Sequence, residues 1–278
     1  MQLKTSVQHW KDSTDTKLYP LVKAKRLGLI VDMDGTISHI AETPEAAVVT
    51  PKSRELLGTL VLMLPMVAAI SGRAARDLNQ RVAIPGMVFV GNHGLERWED
   101  GGRVLNEDVR RYRKALAASL EDLEPYLTVG MWIEDKYATA SVHYRMTPNP
   151  EKAASTLGPL IHNIAEQHGL KSSPGQKLFE IRPPIEANKG TAVSALVKEY
   201  ELDAIVYIGD DITDIDAINA VKVLREAQEC YGIGIGVVSE ENENSQKVAD
   251  VSDAIAYGVH DVEALLSWLS KAVCHERC

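Results

Sequence analysis

The sequence predicts an α/β fold with a doubly wound, mainly parallel sheet as its core and a smaller α/β cap domain inserted in the chain. Short apolar runs alternate with helical patterns over residues 1–105 and again over residues 185–278, which is typical of parallel strands buried on both faces. Between these stretches, residues 106–184 show helix, strand and strand twice in succession. Such a unit is typical of a small open sheet with helices on one face.

The first core stretch begins with a polar segment, residues 1–25, that we expect to form a helix leaning on the core. The run Leu-Gly-Leu-Ile-Val at 27–31 predicts a buried strand because it is apolar without alternation. Thr50 before Pro51 predicts a helix start, since Thr caps helices and Pro fits their first turn. Two more strands and a hairpin turn are predicted at 66–70, 87–90 and 98–104.

The inserted stretch is predicted to contain two helices, at 107–124 and 151–168, from their apolar spacing. Its four predicted strands lie at 128–134, 137–145, 169–173 and 177–183. We expect Pro174-Gly175 to form the turn between the last two strands.

The second core stretch returns to alternating helices and strands. Strands are predicted at 204–208, 232–238 and 253–259, and helices at 190–200, at 214–224 and after Asp261, which is expected to cap the last one.

Composition limits the partners. The 278-residue chain carries a formal net charge of −9, which disfavours duplex nucleic acid because phosphate contacts need a basic surface. The longest apolar run, residues 60–70, is too short for a bilayer span of about 20 residues. Cys230, Cys274 and Cys278 give no disulfide framework and fit a reducing compartment. Since the N-terminus lacks an apolar signal core, we expect a cytoplasmic protein. We also expect that it binds neither nucleic acid nor membrane, and that it is a monomer or weak dimer.

Three polar motifs directly follow predicted strands. They are Asp32-Met33-Asp34-Gly35-Thr36, Ser71-Gly72-Arg73 and Gly209-Asp210-Asp211-Ile212-Thr213-Asp214, and a fourth motif, Asn188-Lys189-Gly190, opens a helix. Ligands of parallel sheets bind beyond the carboxyl ends of the strands. The motifs are therefore expected to converge on one crevice.

The acidic residues of these motifs predict a metal site. An aspartate that is free in water has a pKa of about 3.9, but Asp32, Asp210 and Asp211 cannot all stay ionised close together without a counter-charge. Mg²⁺ prefers oxygen ligands and typically takes one or two carboxylates plus substrate phosphate. Ser71 and Lys189 supply a hydroxyl and an ammonium group that suit phosphate oxygens. The set predicts a phosphate site with a bound metal.

The candidate nucleophile is a carboxylate. The sequence contains no Ser-His-Asp pattern, no Gly-x-Ser-x-Gly and no Walker loop. Aspartate attacks phosphorus in some enzymes and forms an aspartyl-phosphate. Because a positioned acid alone gives only about 10²–10⁴-fold, the nucleophile, metal, cations and acid have to act together.

On these four motifs the chain resembles the haloacid dehalogenase superfamily of phosphatases, from about Leu27 to the final helix. The resemblance implies that Asp32 is the nucleophile and a metal ligand. It implies that Asp34 acts as general acid and then base, and offers its backbone carbonyl to the metal. Asp210 would be the third metal contact, and Lys189 would serve catalysis.

The same resemblance implies the supporting roles. Ser71, Gly72 and Lys189 would bind the phosphoryl group, and Arg73 would contact the substrate. Asp211 and Asp214 would support the metal site.

The inserted stretch narrows the resemblance to the trehalose-6-phosphate phosphatases. The motifs that carry it are Glu134-Asp135-Lys136, His143-Tyr144-Arg145, Lys177 to Pro183 and, in the core, Gly91-Asn92-His93-Gly94-Leu95-Glu96. In that family an E-x-K pair and a later cap glutamate hydrogen-bond the sugar hydroxyls, and here these would be Glu134, Lys136 and Glu180. The resemblance implies a Mg²⁺-dependent phosphatase that forms trehalose and phosphate through an aspartyl-phosphate, in the last step of trehalose biosynthesis.

Other interpretations stay open on sequence alone. Sucrose phosphate and a glycosyl-phosphoglycerate are alternative substrates, and both are small sugar phosphates. A phosphomutase would use the same aspartyl-phosphate, and a regulatory relative would bind without turnover. Glu134 and Lys136 also fit a surface ion pair of little energetic value, and His143 fits either a substrate contact or a support of the sheet.

Overall fold

The computed structural model describes residues 5–41, 43–99, 101–105, 107–240 and 242–277. The chain forms two compact units. One consists of Met1–Arg103 with Ala187–Cys278, and the other of Val104–Glu186. The domain edges predicted from sequence, after 105 and before 185, lie two residues from these bounds. Asn106, the first residue of the predicted insert, lies outside the described residues.

The first unit is built on one large sheet. Its strands are β1 (Leu27–Val31), β2 (Met66–Ile70), β3 (Val88–Gly91), β4 (Glu96–Glu99), β5 (Gly102–Leu105), β10 (Ala204–Gly209), β11 (Tyr231–Val238) and β12 (Ala254–Tyr257). They lie in the order β12-β11-β10-β1-β2-β3-β4-β5. Neighbouring strands from β12 to β3 run parallel, and β4 pairs antiparallel with β3. The predicted mainly parallel sheet is confirmed.

Helices cover both faces of this sheet because its strands are apolar on both sides. Leu29 and Val31 of β1 pack in one cluster, with Leu57 and Leu266, whereas Ile30 packs in another, opposite cluster. This alternation follows from the two-residue period of a strand. The helices are α1 (Tyr19–Val22), α2 (Pro51–Val61), α3 (Ala75–Val82), α6 (Lys189–Glu199), α7 (Asp214–Glu226), α8 (Ser245–Val251) and α9 (Gly258–Arg277).

The second unit is a four-stranded antiparallel sheet with the order β6-β7-β9-β8. Its elements are α4 (Glu107–Leu123), β6 (Trp132–Asp135), β7 (Ala140–His143), α5 (Pro150–Gln167), β8 (Lys171–Gly175) and β9 (Leu178–Arg182). Leu116 of α4 and Leu157 of α5 pack with Val142 and Ile181 of the sheet in one apolar cluster. The predicted order of helix, strand and strand, repeated once, is confirmed.

Three local predictions are wrong. Pro174-Gly175 lies inside β8, and the turn falls at residues 176–177, where Lys177 has a φ of 60°. Because β8 is an edge strand, it tolerates a proline that lacks an N–H. Asp261 does not precede α9 but lies in its first turn, since Gly258, with a φ of 66°, turns the chain directly into the helix. The N-terminal segment forms short 3₁₀ and π turns before α1 instead of one helix.

Among the helices of the described ranges, none combines the length and the hydropathy that a bilayer span requires. Cys230 is buried and Cys274 is exposed. Cys278 lies outside the described residues.

Candidate active site

The predicted motifs lie at the carboxyl ends of neighbouring strands in the middle of the parallel sheet. Asp32 directly follows β1, which has β10 on one side and β2 on the other. Val31 is in register with Ile208 and with Ala69, so the segments that follow these three strands leave the sheet side by side. Asp210 and Ser71 belong to those neighbouring segments.

Lys189 joins two of the motifs. It is the first residue of α6, and Asn188 caps that helix by accepting a hydrogen bond from the N–H of Thr191. The Lys189 Nζ lies 2.8 Å from Asp32 Oδ1 and 2.6 Å from Asp214 Oδ1, and its side chain is buried. Burial alone would lower the pKa of Lys189, but the negative charges of Asp214 and Asp32 outweigh it and raise the pKa. The lysine is therefore a fixed cation beside Asp32.

Asp214 is the hub of this network. Its Oδ1 accepts hydrogen bonds from Lys189 and from the hydroxyl of Tyr207. Its Oδ2 accepts the backbone N–H groups of Asp210 and Asp211 at 3.0 and 2.9 Å. With two donors on each oxygen, the carboxylate has little capacity left for a metal ion. Its position fixes the lysine and the loop that carries Asp210.

Asp210 is held from three sides. Thr36 Oγ1 donates to its Oδ1 at 3.2 Å, and Asn242 Nδ2 donates to its backbone oxygen at 2.8 Å and to its Oδ2 at 3.1 Å. Gly35 packs against the same carboxylate: an added Cβ would lie 2.1 Å from Asp210 Oδ2, and the φ of Gly35 is 79°. Glycine is therefore required at position 35 for both backbone conformation and space.

Three carboxylates meet one ammonium group in this buried site. One oxygen of each of Asp32, Asp210 and Asp214 lies within 4.8 Å of the others. Burial, supported by the neighbouring carboxylates, raises the pKa of Asp32 to about 8 and that of Asp210 to about 9, although Lys189 acts in the opposite direction. Such a site lacks positive charge, and a hard divalent cation would supply it through oxygen ligands. The residues present fit that ion, and Asp32 and Asp210 are the side chains that would hold it.

Asp34 is bound to Arg73 in this structure. Arg73 Nε donates to Asp34 Oδ2 at 2.7 Å and Arg73 Nη2 donates to Asp34 Oδ1 at 2.8 Å. Arg73 Nη1 also donates to Asp77 Oδ2 at 3.0 Å. Burial alone would lower the pKa of the guanidinium, but the hydrogen bond and charge of Asp34 outweigh it and raise the pKa. The structure thus places Arg73 on the candidate acid–base residue.

Ser71 and Gly72 form a tight loop after β2. Ser71 is buried, its N–H donates to the carbonyl of Val90 at 3.0 Å, and its hydroxyl accepts the N–H of Arg73 at 3.2 Å. Gly72 packs against the ring of His93, where an added Cβ would lie 2.7 Å away. These hydrogen bonds and the contact between Gly72 and His93 therefore hold the loop in place.

The polar residues predicted in the second unit share one face of its sheet. Glu134 is in register with Ser141, and Ser141 with Glu180, so the three side chains form a row. Lys136 Nζ donates to Glu180 Oε1 at 3.1 Å. Glu134 Oε2 lies 2.9 Å from His143 Nε2, and the His143 ring stacks on Trp132 with centroids 4.4 Å apart.

Sequence reasoning missed several residues that shape the core site. Tyr207 lies within an apolar strand and is indistinguishable there from a core residue. Asn242 follows β11, in no motif, and Asn244 donates to Asp211 Oδ1 at 3.0 Å. Thr36 stands in the first motif directly after Gly35, and this position was the one signal in the sequence for its contact with the site.

A family model described as trehalose-phosphatase matches residues 30–254. Trehalose-phosphate phosphatase B of Arabidopsis thaliana is 30% identical over 271 residues, which cover 91% of this chain and 70% of that protein. A trehalose-phosphate phosphatase of Mycobacterium bovis is 29% identical over 208 residues, which cover 71% of this chain and 52% of that protein. An uncharacterised glycosyl hydrolase of Mycobacterium tuberculosis is 30% identical over 93% of this chain, which spans only 19% of that relative.

Solved structures show the same fold. The C-terminal domain of Candida albicans trehalose-6-phosphate phosphatase superposes with a TM-score of 0.71 at 21% identity, over 96% of this chain and 99% of that one. A trehalose-6-phosphate phosphatase related protein gives a TM-score of 0.74 at 19% identity, over 90% and 99%. At these identities the likeness concerns the fold.

Proposed function

The chain belongs to the trehalose-phosphatase family, and from that membership we propose that it hydrolyses trehalose 6-phosphate to trehalose and inorganic phosphate, the last step of trehalose biosynthesis. The observation that carries the chemistry is the buried contact of 2.8 Å between Lys189 Nζ and Asp32 Oδ1. It holds a carboxylate oxygen and a fixed cation together at the end of the central strand, as attack on a phosphoryl group requires.

The first half-reaction is assigned to Asp32 and Asp34. A carboxylate oxygen of Asp32 forms a bond to phosphorus, and the bond between phosphorus and the sugar oxygen breaks. Asp34, protonated from solvent once Arg73 has exchanged it for the substrate, gives this proton to the leaving sugar oxygen, which departs as a hydroxyl. Lys189 and the buried hydroxyl of Ser71 bind the phosphoryl oxygens, whose negative charge they match.

The second half-reaction reverses these roles. Asp34, now ionised, takes a proton from a water molecule whose oxygen attacks phosphorus. The bond between phosphorus and Asp32 breaks, inorganic phosphate leaves, and Asp34 is protonated again. Asp32 returns to its carboxylate form and remains paired with Lys189.

We propose Mg²⁺ as the cofactor, because the donors are hard oxygens. Asp32 and Asp210 would hold it through their carboxylates and Asp34 through its backbone carbonyl. When bound, the ion neutralises charge on the phosphoryl oxygens and on the buried carboxylates. Asp214, Thr36 and Asn242 keep Asp210 in place for that role.

The sugar is assigned to Glu134, Lys136 and Glu180. A disaccharide offers hydroxyl groups and no charge beyond its phosphate, so hydrogen-bond donors and acceptors have to read it. Lys136 and Glu180 are already paired and nearly buried, and His143 holds Glu134. A contact with Arg73 is also proposed, after exchange of its present partner Asp34.

The test is phosphate release from a panel of sugar phosphates in the presence of Mg²⁺ and then of a chelator. The panel contains trehalose 6-phosphate, sucrose 6-phosphate and a glycosyl-phosphoglycerate. We expect the highest kcat/KM for trehalose 6-phosphate and its loss with chelator. Preference for another sugar phosphate would overturn the substrate, and conversion without free phosphate would indicate a mutase.

A further inference from the structure

The segment that follows β3 has an unusual backbone. Asn92, His93 and Gly94 have consecutive positive φ values of 49°, 57° and 107°. For a residue other than glycine this conformation costs roughly 1 kcal/mol. Such a turn persists only where the surrounding structure holds it, and strained turns of this kind cluster at functional sites.

Two backbone hydrogen bonds join this turn to the Ser71-Gly72-Arg73 loop. The N–H of Asn92 donates to the carbonyl of Arg73 at 2.8 Å, and the N–H of His93 donates to the carbonyl of Ser71 at 3.1 Å. Gly72 contributes the space that the His93 ring fills. The backbone of the loop therefore takes its position from the turn.

Glu96 holds the turn in its place. The Oε1 atom of Glu96 accepts a hydrogen bond from Asn92 Nδ2 at 2.9 Å and another from the backbone N–H of Ala75 at 2.7 Å. Arg103 Nε lies 2.8 Å from Glu96 Oε2, and the Glu96 side chain has no exposed surface. Burial raises the pKa of Glu96, against the opposing effects of these partners.

Glu96 thereby holds the end of the loop that carries Arg73. Through Asn92 it reaches the carbonyl of Arg73, and through Ala75 it reaches the first N–H of α3. Arg73 in turn carries the two hydrogen bonds to Asp34. One buried carboxylate thus holds the Arg73 end of the loop through two hydrogen bonds.

We propose that Glu96 is a positioning residue for the phosphoryl-binding loop Ser71–Arg73, acting through Asn92 and Ala75 rather than by contact with substrate. The inference rests on the proposed phosphatase chemistry, though not on the identity of the sugar. A buried carboxylate is a costly way to fill space, and an apolar side chain would serve packing alone at least as well. The role of Glu96 is therefore to set the position of the loop through its hydrogen bonds.

The experiment compares Glu96→Met with the matched control Glu99→Met, because a glutamine at position 96 would keep the oxygen that accepts the hydrogen bonds of Asn92 and Ala75. Glu99 lies on the same strand, is exposed and pairs with Arg97. In Mg²⁺, the dissociation constant of inorganic phosphate is measured by calorimetry, and kcat and KM are measured with p-nitrophenyl phosphate. For Glu96→Met, which removes this acceptor, we expect weaker phosphate binding and a lower kcat/KM, each by about tenfold or more. The control should stay within about twofold of the wild type.

A second variant covers the case in which Glu96→Met does not fold. Asn92→Gly keeps the positive φ but removes the amide that Glu96 binds, and it should show the same two losses. A lower melting temperature with unchanged phosphate affinity and unchanged kcat/KM in a folded variant would overturn the inference and leave Glu96 as a purely structural residue.

The failure of this inference can be told from failure of the proposed function. If the wild type binds inorganic phosphate and hydrolyses p-nitrophenyl phosphate but not trehalose 6-phosphate, the proposed substrate is wrong and the inference about Glu96 is still decided by its variants. If the wild type binds no inorganic phosphate in Mg²⁺, the inference itself is overturned.

Discussion

Lys189 lies closer to Asp214 than to Asp32, at 2.6 Å against 2.8 Å between Nζ and each Oδ1. The candidate nucleophile thus shares its cation with a carboxylate that has three further donors of its own. We therefore expect Lys189 to stay in place whether Asp32 is free or, as proposed, bound to phosphorus. Asp214 thus holds the lysine side chain, and the charge of the lysine acts beside Asp32.

Replacing Asp214 tests whether this residue holds Lys189 in place. In Asp214→Asn the side-chain amide would face either Lys189 and Tyr207 or the backbone N–H groups, all of which are donors. Breaking a buried ion pair typically costs about 3–5 kcal/mol, so we expect the free energy of unfolding in urea to fall by about that amount and kcat to fall with it. Asp216→Asn, on the exposed side of the same first turn of α7, is the control. Wild-type stability of Asp214→Asn would contradict the assignment.

The stability of the metal-free protein should fall as the pH rises. Burial raises the pKa of Asp32 to about 8 and that of Asp210 to about 9, from an ordinary value of 3.8. Between about pH 4 and pH 9 the folded protein therefore binds protons that the unfolded chain has already lost, and the free energy of unfolding decreases with pH. Melting temperatures in chelator from pH 5 to pH 9 measure this trend.

The control for that trend is Asp210→Asn, which removes one of the two buried carboxylates whose pKa is raised. Its melting temperature in chelator should depend less on pH and should exceed that of the wild type at pH 8. Added Mg²⁺ should stabilise the wild type, and more so at high pH, because the ion competes with protons for the same oxygens. A wild-type melting temperature in chelator that rises from pH 5 to pH 8 would refute this explanation.

Arg73 should be needed for its forked geometry as well as for its charge. Arg73→Lys keeps a cation but cannot donate to both oxygens of Asp34 and to Asp77 in one plane. Arg73 holds Asp34 before the substrate binds and is then proposed to contact the substrate. We therefore expect kcat to fall by roughly 10–100-fold, the usual cost of losing a residue that orients a reacting group. Arg81→Lys is the matched control, because Arg81 binds Asp77 from the next turn of α3. Equal kcat values for the two variants would count against the role of Arg73.

The polar face of the second unit should control the choice of substrate. Glu180→Gln weakens the pair with Lys136 and one proposed sugar contact, so kcat/KM for trehalose 6-phosphate should fall by about tenfold or more. With p-nitrophenyl phosphate, which has no sugar, the same variant should stay within about twofold of the wild type. Glu151→Gln, on the exposed start of α5, should change neither value. An equal loss on both substrates would show that Glu180 serves folding instead.

The sequence predicted most of the sheet because its strands are unbroken apolar runs. The runs at 27–31 and 66–70 are strands with those bounds, and the motifs after them lie at strand ends as the topology requires. The hairpin at Pro174-Gly175 was misplaced because Pro-Gly usually forms turns, whereas the edge position of β8 depends on the pairing of distant strands. Asp261 was misplaced for a local reason, since Gly258 begins the helix before any side-chain cap.

The candidate site was predictable where its residues stand in short motifs and not elsewhere. Asp32, Lys189 and Asp210 belong to motifs, and the structure brings them together. Tyr207 was hidden in an apolar strand, and Asn242 contacts Asp210 from a loop 32 residues further along the chain. Glu96 was visible in the Gly91–Glu96 motif, but its contact with Ala75 arises only when β4 pairs with β3 beside α3.

The most direct test of the central claim is phosphate release from trehalose 6-phosphate by Asp32→Asn in the presence of Mg²⁺. The asparagine keeps the shape of the side chain but cannot attack phosphorus as a carboxylate does. We predict no turnover above background from a variant that still unfolds cooperatively in urea. Release of phosphate at the wild-type rate by this folded variant would contradict the assignment of Asp32 as the nucleophile.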